Sequence, residues 1–170
     1  MVRRRGGGGA VLLRPGDHLW LDTWIPRQDP LWVMDVSQAA DWVGRWWMDA
    51  LESVGVAALS VHRGRADAGP LGAVVCFAGR GPGEVFAAGR KVVGVSQWRA
   101  REGALFSSMA YLHWTPGPLV DALTSVDPLV TTDALASVAV GLADLAPDTD
   151  CQSTVREVGR RLVGSFADLS

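Results

Sequence analysis

The sequence predicts an α+β domain in which helices pack on a mainly antiparallel sheet. Three observations carry that prediction. Short apolar runs of strand length fill much of the first two thirds of the chain, separated by turn signals such as RPGD (14–17) and RGPGE (80–84). One segment (39–54) instead repeats its apolar residues at helical spacing. Beyond residue 118 the patterns turn helical again. The order is strands, helix, strands, helices.

The elements follow in order. AVLL (10–13) reads as a short strand and RPGD as a turn, with Pro15 setting φ and Gly16 able to take positive φ. HLWLDTWIP (18–26) then reads as the returning strand of a hairpin. Ala39, Trp42, Val43, Trp46, Ala50, Leu51 and Val54 form the apolar stripe of an amphipathic helix, capped by Asp35 or Ser37 and stopped by Gly55. VAALSV (56–61) reads as a short strand and LGAVVCFAG (71–79) as a buried one. VFAAGRKVVGVSQWR (85–99) is a hairpin bent at Ala88 and Gly89, and ALFSSMAYLHW (104–114) is a further strand. Thr115 to Pro118 break the pattern. Helices are expected at about 119–126, 131–145 with breaks, and 152–166 behind a Thr149 or Asp150 cap.

Composition excludes several classes of function. The 170 residues are 48% hydrophobic and 20% charged, which suits one globular domain spanning 1–170. A net charge of -2 without a basic stripe argues against a dedicated nucleic-acid binder. No apolar run reaches the roughly 18 residues of a membrane span. The opening MVRRRGGGG carries no apolar signal segment, so a soluble cytoplasmic protein is expected. Cys76 and Cys151 lack metal-ligand spacing, and His18, His62 and His113 do not cluster; no metal site and no disulfide framework is assigned.

Two stretches carry candidate chemistry. In RRRGGGGAV, glycines let backbone N–H groups approach an anion, and arginines beside them supply charge; a flexible linker is the other reading. In KVVGVSQ, Lys91 is the only lysine, the other fifteen of the 16 Lys+Arg residues being arginine. A compact ammonium does what a planar guanidinium cannot, although one lysine can also survive by chance. Strict strand alternation places Lys91, Val93, Val95 and Gln97 on one face and Val92, Gly94 and Ser96 on the other. A lysine among apolar residues calls for an anion, and Gly94 in a strand interior calls for close approach of a ligand or another backbone.

RRxxGGGAV followed about eighty residues later by RKVxGxSQxR resembles the lipoate–protein ligase A family. GPGEV (81–85) and LASVAVGLADLAP (135–147) extend the likeness over nearly the whole chain. The GRGRxG and KxxGIL-like motifs of biotin ligases, which share the superfamily fold, are absent. The resemblance implies a fold like that of class II aminoacyl-tRNA synthetases and biotin synthetases. It implies that ATP, Mg²⁺ and lipoate (or octanoate) give an acyl-adenylate, and that a lysine of a lipoyl domain then takes the acyl group. The implied partners are lipoyl domains of 2-oxo acid dehydrogenase complexes or the glycine cleavage H protein. It further implies that Arg4, Gly8, Gly9, Ala10, Val11 and Leu12 bind nucleotide and adenylate, and that Lys91 contacts the acyl carbonyl and α-phosphate. Glu84 would assist metal or adenylate binding. Gly94 stands where a ligand passes closely. On this reading Lys91→Arg abolishes adenylate formation and leaves the fold intact.

The chain departs from the family pattern at three places. Leu13 and Arg14 replace a His-Asp pair, and Ser107, Ser108 and Met109 replace HHG. Full-length members carry a helix and strands before RRxxGGGAV, so this chain is expected to lack that N-terminal part and to expose an unpaired edge near residues 10–25. Two alternatives follow. One is an ATP-independent octanoyl or lipoyl transferase using a thiol. For that role Cys76 is expected to pack inertly in a strand; Cys151 lies between carboxylates that raise a thiol pKa and a helix start that lowers it. The other is a catalytically inactive binding domain.

Overall fold

A computed structural model of the chain describes residues 8–123, 127–145 and 151–169. Five strands form one sheet: β1 (His18–Pro26), β2 (Leu59–Val61), β3 (Val85–Ala87), β4 (Arg90–Arg99) and β5 (Gly103–Tyr111). Their order is β1-β5-β4-β3-β2, with every pair antiparallel. The helices are α1 (Asp41–Glu52), α2 (Gly69–Gly72), α3 (Gly117–Leu123), α4 (Thr132–Ala136), α5 (Leu142–Leu145) and α6 (Cys151–Ser165). The α+β class read from the sequence is the class observed.

The hairpin at 85–99 forms where the sequence places it. Ala88 (φ 47°) and Gly89 (φ 81°) both adopt left-handed backbone, the pair that a two-residue turn between right-twisted strands requires. α1 packs its tryptophan stripe on one face of the sheet, where Trp42, Val43 and Trp46 meet Val93, Phe106 and Ala110, and α6 adds Val158 and Leu162. Gly55 (φ 88°) ends that stretch as expected.

Trp47, outside the predicted stripe, is the largest fully buried side chain, and its Nε1–H donates to Ser108 Oγ at 2.9 Å. Ser108, one residue of the altered HHG site, therefore points into the core. Ser108→Ala should cost about 1–3 kcal/mol in urea unfolding, because a buried indole N–H loses its acceptor.

Four expectations are corrected. Residues 10–13 do not pair with β1: Ala10 makes a parallel bridge to Val75, and β1 pairs with β5 from His18↔Tyr111 to Pro26↔Gly103. A nine-residue partner far along the chain outcompetes a four-residue neighbour, and alternation alone does not say which strand is the partner. Residues 71–79 are not a strand but part of α2 and a 3₁₀ turn (Cys76–Ala78). Short apolar runs suit either state, and here Pro70 opens the helical turn while Gly72 lets Gly79 pack directly on it. Neither Asp35 nor Ser37 caps α1; the N-cap is Ala40, and Asp35 instead accepts the Ser37 N–H at 2.7 Å in an upstream turn. The fourth correction, in β4, shapes the site. The cap expected at Thr149 or Asp150 lies outside the described residues.

Candidate functional site

Between β3 and β4 the register slips: Phe86 pairs with Lys91, yet Val85 pairs with Val93. Val92 is therefore an extra residue, a β-bulge. The bulge overturns the alternation expected for this strand. Val92 and Val93 both enter the main core, and Lys91 turns to the opposite face, which it shares with Gly94. Both lie against one aromatic ring. Lys91 Nζ is 5.5 Å from the Phe77 centroid, and a Cβ on Gly94 would stand 3.1 Å from that ring.

Lys91 is 1% exposed. Its ammonium lies 2.7 Å from Glu84 Oε2 and donates to the Cys76 carbonyl at 3.0 Å, with the Phe86 ring 5.9 Å away. Its backbone is held as firmly. The Lys91 N–H donates to Val138 O, and the Val140 N–H donates to Lys91 O, each at 2.9 Å. Thus the anion that the sequence called for is in this structure an internal carboxylate. Glu84 Oε2 also accepts the Gly81 N–H at 2.6 Å. Burial pushes the Glu84 carboxyl above its ordinary range, and the Lys91 ammonium and the Gly81 N–H pull it back.

The glycine-rich stretch crosses the same face. Gly8 is exposed with φ 96°. Gly9 packs against the backbone of Val74 and Val75 so closely that a Cβ would collide with it. The Ala10 N–H donates to Val74 O at 2.6 Å, and the Cys76 N–H to Ala10 O at 3.1 Å. Leu12 O accepts the Tyr111 hydroxyl at 2.9 Å, and burial pushes that phenol up to about 12. The structure thus brings Gly9, Ala10, Val11 and Leu12 beside the turn that carries Cys76 and Phe77, with Lys91, Glu84 and Gly94 beneath it. Arg4 lies outside the described residues.

Beside this cluster lies a small, open groove of about 20 Å³ on the sheet face, lined by Val11, Trp20, Cys76, Phe77, Gly94, Val95, Ser96, Ser107 and Met109. Lys91 lies behind Phe77 rather than on the groove wall. Phe77 itself is 3% exposed and is wedged among Tyr111 (4.9 Å between centroids), Trp114 (5.7 Å) and Gly94. Sequence reasoning missed Phe77, Trp20 and Ser96. The one available signal for Phe77 was Gly94, whose missing side chain leaves room for the ring. Cys76, expected to pack in a strand, is half-buried on the 3₁₀ turn and borders the groove. Glu84 does not suit a Mg²⁺ ligand here, since it already holds Lys91 and the Gly81 N–H. Among the described residues no three His, Cys, Asp or Glu side chains gather to hold a metal.

No protein-family profile matches the sequence, and no curated protein matches it. Solved structures do match the fold. The five-stranded antiparallel sheet with helices on it matches the fold of lipoate-protein ligases and biotin protein ligases. A lipoate-protein ligase A bound with ATP is similar over 98% of this chain and 57% of its own, with TM-score 0.60 and 18% identity. A bipartite lipoate protein ligase from Thermoplasma acidophilum, studied with its E2 lipoyl domain, is similar over 98% of this chain and 56% of its own, with TM-score 0.59 and 17% identity. Biotin protein ligase from Aquifex aeolicus is similar over 89% of this chain and 54% of its own, with TM-score 0.54 and 12% identity. The chain spans about half the length of these structures, and at such identities the likeness is one of fold.

Proposed function

We propose that residues 1–170 form a lipoate–protein ligase-like catalytic domain that activates lipoate or octanoate with ATP and passes the acyl group to a lysine of a lipoyl domain. The observation that carries this reading is Lys91. It is a fully buried ammonium beside a side-chain-free residue, Gly94, and next to the glycine-rich segment, in a fold that lipoate ligases share. Joining a carboxylate to ATP brings two anions together. A fixed cation offsets that repulsion and stabilises charge on the α-phosphate as it builds up. The carboxylate oxygen bonds to the α-phosphorus and pyrophosphate leaves. The acceptor amine then attacks the acyl carbonyl, AMP leaves, and the amine gives up its proton.

In this reading Lys91 keeps Glu84 and the Cys76 carbonyl and offers its remaining N–H to the substrate anions, Gly94 gives the acyl chain room, and the backbone at 8–12 frames the nucleotide. Phe77 stands between the groove and Lys91 and must withdraw for the chain to enter. The proposed partners are lipoyl domains of 2-oxo acid dehydrogenase complexes or the glycine cleavage H protein, and the proposed setting is the cytoplasm. Incubation with MgATP, lipoate and an apo lipoyl domain should add the lipoyl mass to the acceptor. Release of no pyrophosphate and no mass gain would remove the reading.

A second reading is favoured by one observation. Cys76 borders the groove, and its own carbonyl accepts from Lys91 Nζ. A thiolate there would take an octanoyl or lipoyl group from a thioester donor without ATP, as a transferase does. An acyl-thioester on Cys76, seen by mass spectrometry and lost in Cys76→Ser, would favour transfer over ligation.

A further inference from the structure

We infer that the outer edge of β1 is the interface of a symmetric dimer, in which a second copy of this chain pairs with it, antiparallel, about a two-fold axis at Leu21. The inference stands apart from the ligase reading. Among the described residues β1 pairs with β5 alone, so its other side is an open end of the sheet. The unpaired edge expected near residues 10–25 is thus found along β1. Such edges are normally guarded by brevity, a lysine, a bulge or an interrupting proline. β1 carries none of these between His18 and Trp24. It keeps unbroken register with β5 over nine residues, and its one proline is its last residue. Asp22 is its only carboxylate, and Trp20 and Trp24 stand 38% and 44% exposed on the face away from α1 and α6.

The backbone shows which groups are free. The Arg27 N–H donates to Glu102 O, and the Leu112 N–H donates to Asp17 O. The odd-numbered residues therefore turn their peptide groups toward β5, and alternation turns those of His18, Trp20, Asp22 and Trp24 outward. Pro26 has no N–H, and its carbonyl already accepts the Asp29 N–H at 3.0 Å, so pairing must stop before it. A two-fold axis at Asp22 would set two carboxylates opposite each other, which is unfavourable. An axis at Thr23 would set Trp20 against Pro26 and lose bonds. An axis at Leu21 sets His18 against Trp24 and Trp20 against Asp22, so that every outward N–H meets a carbonyl. It also sets Leu21 against its own copy on the core side, where it already packs with the main cluster. The opposite edge, β2, is only three residues long, so pairing through β1 closes at two copies rather than growing into a fibre. Trp20 borders the groove, so Asp22 of the second copy would lie against the groove wall.

Sedimentation velocity of the full chain at micromolar concentration should give twice 18.1 kDa. Asp22→Pro removes an outward N–H that the monomer does not use, and it should weaken the dimer about tenfold or more. Circular dichroism checks that this variant folds. The register is read separately by oxidation of single-cysteine variants and mass spectrometry of the linked β1 peptides. Leu21→Cys faces itself across a non-hydrogen-bonded pair, about 4.5 Å between Cα atoms, and should crosslink. Asp22→Cys and Thr23→Cys should not. A monomer across the concentration range would overturn the inference, as would a dimer that a folded Asp22→Pro protein leaves unweakened. A dimer that crosslinks through residue 22 or 23 instead of 21 would overturn it too, and if Asp22→Pro fails to fold, the crosslinks decide alone.

Discussion

Lys91→Met should lower the unfolding free energy by about 3–5 kcal/mol, because it leaves the Glu84 carboxylate buried without its partner. The magnitude follows from enclosure: the ion pair is 2.7 Å long and both residues are almost wholly out of water. An exposed pair such as Arg160 and Glu157 would give up a fraction of that. The double variant Lys91→Met, Glu84→Leu removes both charges and should recover most of the loss, since replacing a buried pair with apolar residues is close to neutral. Urea unfolding of the three proteins checks this. Activity should divide differently: the double variant, though stable, should release no pyrophosphate. Lys91→Arg meets the same enclosure. A guanidinium is wider than the space bounded by Phe77, Phe86 and the Cys76 carbonyl, so the substitution should also cost about 1–3 kcal/mol through overpacking. The expectation that this variant leaves the fold untouched is thereby revised. A Lys91→Met protein as stable as the parent would show that the ion pair contributes nothing.

Phe77→Leu should tighten binding of octanoate while lowering the melting temperature. The ring stabilises a closed groove through Tyr111, Trp114 and the space above Gly94. A ligand that must displace it binds with an affinity reduced by the fraction of molecules already open. Each ~1.4 kcal/mol removed from the closed state should therefore strengthen the apparent Kd about tenfold, until the open form dominates. Phe77→Ala should cost about 3–5 kcal/mol if the cavity does not collapse, which makes leucine the better probe. Calorimetric titration with octanoate, read beside thermal unfolding, separates the two effects. An unchanged or weaker Kd in a folded Phe77→Leu protein would mean that the ring forms part of the binding wall rather than an obstacle.

Parts of this molecule were legible in the sequence for identifiable reasons. The turn at Ala88 and Gly89 announces its hairpin through Gly89, which takes positive φ at no steric cost, although Ala88 takes it too. The α1 stripe is legible because it repeats over several turns. Residues 71–79 were not, since an apolar run that short carries no period. The bulge at Val92 was invisible for a different reason. An extra residue changes no composition, yet it moves Lys91 from one face of the sheet to the other. The contact of Asp22 with Ser107 was hidden by distance along the chain, because the two meet only through the β1–β5 register. The HHG replacement looked like one change but divides in two: Ser107 and Met109 line the groove, and Ser108 holds Trp47.

The mooring of Lys91 also bears on how the chain acquires its structure. Its side chain is held by Cys76 and Glu84, while its main chain is clamped by Val138 and Val140. Glu84 sits just before β3, across the hairpin from Lys91, whereas Cys76, Val138 and Val140 are distant in sequence, and those contacts require loop closure first. The enclosure is complete only when both the 3₁₀ turn and the chain around residue 138 have docked on β4.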